Sequence, residues 1–467
     1  MIAARILEPH PKFSTIRFWQ TTTLPEELDV QKADDDDLYA AMDWLLERQP
    51  RIEAALCKRH LRQGDAVFYD LSSSYYEGEQ CPLAEYGYSR DKKRGKRQIN
   101  YGLVADKDGR PLCINAWPGN ISDTRTFMPT VEKLRDDCGI SEVVLVGDRG
   151  VLSSKNIDAL REKKHVGWIT ALRSTSIRDL VEQAGFQLSL FDERNLFEFT
   201  APEYPGERLI ACRNPFMADK RARVRQELLS ATEKNLSKIR ERVFAGRLKT
   251  AGQIGLAVGR WIDRRKMKKH FILEISDGHF DFRRNEKSIA CEAALDGIYV
   301  LRTSVGLGKL DAAECVRQYK KLSQVERAFR TMKMVGLQIR PIHHRLEGRV
   351  RAHIFLCMLS YYVEWHMREV WRELTFADED QAHKETRDPV APSSKSEGAK
   401  KKASSKKTGD GATVHSFKSL LADLSTIVRN VCQAPSATKT NQGVFTMTTT
   451  PSINRQKAFD LIKSIKL

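Results

Sequence analysis

The first half of the chain is written mostly in strand-like patterns. "DAVFYDLSSSYY" (65–76) is rich in β-formers, "KRQINYGLVAD" (96–106) alternates apolar and polar positions, and "PLCINAWPG" (111–119) follows the turn "KDGRP". The short turn predicts an antiparallel hairpin over 98–117. "SDTRTFMPTVEKLRDDCG" opens on a Ser/Asp cap and closes on Gly, which predicts a helix. "SEVVLVGDRG" (141–150) is an unbroken apolar run that suits a strand buried on both faces. A helix (153–164), a strand (166–172) and another helix (176–185) complete the series. The order β-β-β-α-β-α-β-α predicts an α/β fold, with a mixed sheet flanked by helices on both faces.

Ahead of this core, residues 1–34 show no clear periodicity, and "ADDDDLYAAMDWLLERQPRIEAALCKRHLR" predicts one or two helices. The run Asp34 to Asp37 fits a helix N-terminus, where the dipole favours acids. Residues 186–305 break the pattern: short strands ("LFEFTAP", "RLIACRN", "HFILEISD", "HFDFRRN", "GIYVLRTS") flank a charged helical section. Helices over 217–247 and 255–270 carry dense Lys and Arg and predict a basic helical hairpin. Helix returns at 311–334 and at 345–371, the second strongly apolar in its middle. Residues 377–415 are polar and of low complexity, which predicts a disordered basic linker. "SFKSLLADLSTIVRNVC" and the amphipathic "INRQKAFDLIKSIKL" predict closing helices. The expected organisation is an N-terminal helical segment (1–64), a core in two parts (65–185 and 306–376), an inserted β-strand and basic-helix domain (186–305), the linker (377–415) and C-terminal helices (416–467).

Composition narrows the function. With 467 residues and 41% hydrophobic positions the chain can bury a substantial core. No apolar run reaches the roughly 18 residues of a membrane span, and the N-terminus lacks a signal-peptide apolar region, so a cytoplasmic protein is expected. The net charge of +17 favours a polyanionic partner. Nine widely spaced cysteines without a C-x-x-C pair argue against a disulfide framework or a structural zinc site. They read as small buried apolar residues.

Three acids stand out by position. Asp70 lies in the first strand, Asp148 ends the buried strand, and Glu326 lies on the predicted helix "YKKLSQVERAFRTMK" (319–333). Sites in open α/β sheets form beyond the carboxyl ends of parallel strands, which places Asp148 well and brings Asp70 near it if their strands are neighbours. On one helix, Tyr319, Glu326 and Lys333 recur every seven residues and fall within about 20° of one another per step, with Arg330 close by. Val325, Phe329 and Met332 fall on another, apolar face. Three converging carboxylates repel one another unless a cation neutralises them. Hard oxygen ligands suit Mg²⁺ or Mn²⁺, and two such ions can activate a nucleophile and stabilise a leaving oxygen in phosphodiester displacement. Lys333, Tyr319 and Arg330 would then contact DNA phosphates. His343 and His344 acquire no role from the pattern.

These segments together resemble a family. "DLSSSYYEG" with "YGYSRDKKRGKRQINYGLVAD", then "PGNISD", "VGDRG", "LDGIYVLRTS", "YKKLSQVERAFRTMK" and "RPIHHRLEGRVRAHIFLCMLSYY" occur in order between about residues 65 and 372. The chain resembles bacterial insertion-sequence transposases of the DDE type, in the insertion-sequence-four superfamily. The resemblance implies an RNase H-like core with a domain inserted between the second Asp and the Glu. It carries the catalytic metal-ligand roles onto Asp70, Asp148 and Glu326. The family's helix signature is Tyr-x2-Arg-x3-Glu-x6-Lys; Tyr319, Glu326 and Lys333 match, and Leu322 stands where the Arg would be, so Arg327 or Arg330 would supply that contact. The implied reaction is metal-dependent cleavage at the ends of a mobile element, followed by strand transfer into target DNA. The implied partners are double-stranded DNA and a second copy of the chain, in a nucleoid-associated setting. Relatives usually carry a longer segment ahead of the core, where only about 65 residues precede it here. The alternative is therefore a truncated or domesticated DNA-binding protein without transposition activity.

Overall fold

The structure, a computed structural model, describes residues 1–184, 191–334, 336–382, 388–391, 394–433 and 444–466. The chain divides into two compact units, one built from 1–170, 303–387 and 393–467, the other from 171–302 and 388–392.

The first unit holds strands β1 (Ala66–Tyr75), β2 (Gln98–Ala105), β3 (Pro111–Pro118), β4 (Val143–Gly147) and β5 (Val166–Ala171), in the order β3-β2-β1-β4-β5. β1, β2 and β3 form the expected antiparallel meander, and β4 pairs in parallel with both β1 and β5. The sheet is mixed because a five-residue turn joins β2 to β3, while helices carry the chain between β3, β4 and β5. All five residues of β4 are buried, which explains its continuous apolar sequence, and all eight of β2 are buried as well, its polar Gln98 and Asn100 included.

Alternation along β1 separates two chemistries. Val67 and Tyr69 join Val104 and Cys113 in a core with Cys57, Phe127, Val131, Ile157 and Leu160, drawn from helices Gln49–His60, Asp123–Asp136 and Ser154–Arg161. Asp70 leaves on the opposite face, beside its cross-strand partner Leu103. On β2 two positions from Leu103, Tyr101 meets Phe329 with ring centroids 5.7 Å apart. Gly102 is a glycine for a steric reason: a Cβ there would come 2.2 Å from the Tyr69 hydroxyl.

The predicted helix over 311–334 is two helices, Ala312–Lys320 and Leu322–Lys333. They meet at Lys321, whose ψ of −13° tightens the turn. The apolar helix expected over 345–371 spans Glu347–Val370 and packs against β3 and helices Ile2–Leu7 and Asp35–Glu47. The four-aspartate run caps as expected: Asp34 accepts from the Asp37 backbone N–H and Asp37 returns a bond to that of Asp34.

Two C-terminal expectations differ from the structure. Within the segment read as a disordered linker, Glu397–Ser405 is a helix capped by Ser396. Lys402, a polar residue in the sequence, is buried and donates to the carbonyls of Arg372 (3.0 Å) and Thr375 (2.9 Å). Tertiary carbonyls satisfy an ammonium that composition alone assigns to solvent. The helix expected over 416–432 ends at Leu424, and Arg429–Gln433 pairs antiparallel with Val444–Thr448, in keeping with the β-branched Thr426, Ile427, Val428 and Val431 that follow.

The second unit contains β6 (Leu196–Phe199), β7 (Arg208–Arg213), β8 (Phe271–Ser276), β9 (His279–Arg284) and β10 (Ile298–Thr303). β7 lies between β6 and β10, and β8–β9 is a separate hairpin. The basic helices span Pro215–Phe244 and Ala251–Arg265. On the longer one, Arg225, Leu229, Thr232, Leu236, Ile239 and Val243 are buried at alternating steps of four and three, a coiled-coil-like stripe. Ile254, Val258 and Ile262 of the other helix join this stripe in one core with Phe271 and Phe280. The Lys and Arg positions are left largely at the surface.

Candidate active site

Parallel pairing aligns Tyr69 with Gly147. One step further along both chains stand Asp70, in the middle of β1, and Asp148, the first residue past β4. The sheet therefore makes neighbours of two acids far apart in sequence. Asp148 is pinned by its own turn, its Oδ1 accepting from the N–H groups of Gly150 and Val151, each at 2.9 Å. Asp70 Oδ1 accepts from the Leu71 N–H at 2.8 Å.

Helix Leu322–Lys333 lies against β1 and β2. Val325, Ala328, Phe329 and Met332 are buried, and Glu326 stands exposed on the other side, as the apolar stripe predicts. Its charge reaches Asp70. Burial first, then the Asp148 and Glu326 carboxylates, push the Asp70 carboxyl up to about 7, against the opposing pull of the Leu71 N–H and Arg90. Tyr319 shares the same field: burial, followed by Asp148, raises its phenol to about 12, with Asp70 and Glu326 adding to the effect and Arg149 opposing it. The two-helix arrangement thus still brings Tyr319, Asp70, Asp148 and Glu326 into one electrostatic environment.

The cations are distributed differently from the expected stripe. Lys333 Nζ is paired with Asp91 Oδ1 at 3.2 Å, and Arg340 Nη1 reaches the same oxygen at 2.6 Å. Burial lowers the Lys333 pKa against the pull of Asp91. Arg330 is exposed. Arg327 is exposed too, and its charge is felt at Tyr361 of helix Glu347–Val370. Leu322, at the departure from the signature, is partly buried.

Three further residues, without a motif in the sequence, border the acids. Arg90 donates to Asp123 Oδ1 at 2.7 Å and, more weakly, to Asn100 Oδ1 at 3.4 Å. Asp123 Oδ2 lies on the Asp148 turn, 3.5 Å from where a Cβ on Gly150 would be. Asp91 is almost fully buried. The available signal was an acid set inside the basic loop "SRDKKRGKR", since a lone carboxylate there calls for a structural partner. His343 and His344 stand apart from the acids: His343 Nδ1 lies 3.3 Å from the Glu77 carbonyl, and His344 packs against His353 and Tyr39.

The donor set is suited to a hard cation. Carboxylate oxygens are the ligands that Mg²⁺ and Mn²⁺ prefer, and Asp70, raised first by burial and then by the Asp148 carboxylate, would be favoured in its charged form by a cation bound there. Residues 63–363 match the model described as the transposase DDE domain. No curated protein sequence matches the chain. Among solved structures, a cryo-EM structure of the piggyBac transposase synaptic complex with hairpin DNA aligns at 9% identity and a TM-score of 0.34. The alignment covers 67% of this chain and 50% of that one, so the chain spans about half the length of the transposase it matches. The DDE-domain match extends over most of the chain, from before Asp70 to beyond Glu326, and the protein belongs to the transposase DDE-domain family.

Proposed function

We propose that this protein is the transposase of a bacterial insertion sequence, a soluble nucleoid-associated enzyme that cleaves the element's ends and transfers them into target DNA. The carrying observation is the meeting of Asp70, Asp148 and Glu326 in one field within the matched family domain. These three would hold two Mg²⁺ or Mn²⁺ ions. When bound, such ions activate the attacking oxygen and stabilise the leaving one.

The chain's own residues do the rest. The Asp148 turn and the β1 backbone fix two carboxylates on a rigid sheet, so little reorganisation is needed when DNA arrives. Glu326 rides on a helix whose buried face sets its height above the sheet. Tyr319 keeps its proton at neutral pH and can donate a hydrogen bond to a phosphate oxygen. Arg330 and Arg327 are the exposed phosphate contacts, one of them standing in for the Arg missing at Leu322. Lys333 joins them once Asp91 shares it. The basic helices of the second unit grip DNA backbone as an inserted domain, and a homodimer holds two element ends.

Among the described residues no helix is long and apolar enough to cross a membrane. The test is strand cleavage of a plasmid carrying the DNA that flanks the gene, with Mg²⁺ or Mn²⁺, comparing wild type with Glu326→Gln. Cuts at a repeat boundary that vanish in the variant are expected. Cleavage that survives the substitution would sink the assignment of Glu326. No cleavage by wild type, with salt-sensitive DNA binding intact, would leave a DNA-binding protein without catalysis.

A further inference from the structure

The strongest unassigned chemistry lies on the other face of the sheet. Cys57, Cys113 and Cys138 are far apart in sequence, yet their sulfurs all lie within 4.8 Å of one another. Cys57 Sγ and Cys113 Sγ are 3.6 Å apart, and Cys113 Sγ and Cys138 Sγ 3.8 Å. All three are free thiols. Three different elements supply them: helix Gln49–His60, strand β3, and the turn just after helix Asp123–Asp136.

These separations have a chemical meaning. A Zn–S bond of about 2.3 Å and a tetrahedral angle place two thiolate ligands about 3.8 Å apart. The sulfurs therefore already stand close to the edges of one metal's coordination polyhedron. The same three elements are locked together beside them. Glu53, one helical turn before Cys57, is fully buried and accepts from the Ile114 N–H at 2.9 Å and from Gln49 Nε2 at 2.8 Å. Lys133, five residues before Cys138, pairs with Glu53 and donates to Asn115 Oδ1 at 3.0 Å. Those contacts bracket all three sulfur-bearing segments, so the thiols sit on a preset frame rather than on mobile loops. The Lys133 ammonium favours the thiolate of Cys138, while the Glu53 carboxylate opposes those of Cys57 and Cys113 until a cation offsets it. Cys57 and Cys113 are closed off from water, and the half-buried Cys138 gives an ion a way in.

We propose that Cys57, Cys113 and Cys138 form a three-thiolate site for a soft d¹⁰ cation, Zn²⁺ or Cu⁺, that ties helix Gln49–His60 and the end of helix Asp123–Asp136 to β3. No fourth His, Cys, Asp or Glu among the described residues joins the group. Cu⁺ would be three-coordinate, and Zn²⁺ would complete its shell with water through the Cys138 side. The role is structural, and it does not rest on the transposase reading.

The experiment uses the full chain, purified with reductant, without chelator and with excess Mg²⁺ to occupy the carboxylates. Metal content is measured by mass spectrometry. The chain is then reconstituted anaerobically with Zn²⁺, Cu⁺ or Co²⁺. About one thiophilic ion per chain is expected, with a sulfur-to-cobalt charge-transfer band in the Co²⁺ form. Competition between Zn²⁺ and Cu⁺ identifies the preferred ion. Cys138→Ser, at the half-buried position, should keep the fold by circular dichroism while weakening retention at least ~10-fold. Cys113→Ala is the second variant. Absence of the band in wild type, or its persistence in both variants, overturns the site. So does a Cys113–Cys138 disulfide formed by diamide at the same rate with and without Zn²⁺.

Discussion

The two faces of the β1–β2–β3 meander carry opposite kinds of polar cluster. On the Asp70 face, burial first and then the Asp148 and Glu326 carboxylates push the Asp70 carboxyl up to about 7. On the Cys113 face, burial raises the Glu53 carboxyl too, but the groups around it all oppose the rise: Lys133, a backbone N–H and Gln49. The first arrangement costs stability and suits a site that binds something positive. The second is a satisfied network that positions its neighbours. A buried carboxylate is thus not informative by itself; the charge around it decides whether it is frame or site.

The largest effect that tests this contrast is catalytic. Asp148→Asn should lower Mg²⁺-dependent strand cleavage by a factor on the order of 10³ while DNA affinity changes little; cleavage within a few-fold of wild type would remove Asp148 from the site. Next comes Glu53→Ala, which leaves Lys133 buried without its partner. It should cost about 3 kcal/mol in chemical denaturation, and a loss below ~1 kcal/mol would mean the pair is not part of the frame. The opposite sign is expected at Asp70. Asp70→Asn relieves repulsion, so the metal-free protein should gain about 1 kcal/mol, or a Tm rise of ~1–2 °C, even as cleavage is lost. In wild type, added Mg²⁺ should raise Tm, and in Asp70→Asn that rise should shrink; equal rises would break the comparison. Lys333→Ala should weaken non-specific DNA binding several-fold and reduce the salt slope by about 1. An unchanged slope would confine Lys333 to its pair with Asp91. The smallest effect is a control away from both faces: Lys402→Ala should cost about 1 kcal/mol, and no change would mean that the helix around it is not held by Arg372 and Thr375.

Some of this was open to reading along the chain. The meander, the buried β4 run and the apolar stripe of helix Leu322–Lys333 follow from periodicity, because which face a side chain takes is local geometry. Asp148 was legible for the same reason, as an acid at the carboxyl end of an apolar strand. The break at Lys321 was not, since one tight ψ leaves no mark in the apolar spacing. Lys402 was misleading because the carbonyls that receive it lie about thirty residues away.

The sequence by itself determined the strands of the meander with β4 and β5, the basic character of the inserted helices and the three acids worth attention. It did so because hydrophobic period, turn chemistry and charge act over a few residues. Only the tertiary structure decided that β1 and β4 pair so that Asp70 and Asp148 stand side by side, that Lys333 is shared with Asp91, and that three cysteines without a spacing motif share one corner of the core. Those outcomes depend on strand order and helix docking, where contacts between distant segments are fixed by burial of whole faces rather than by any short stretch of chain.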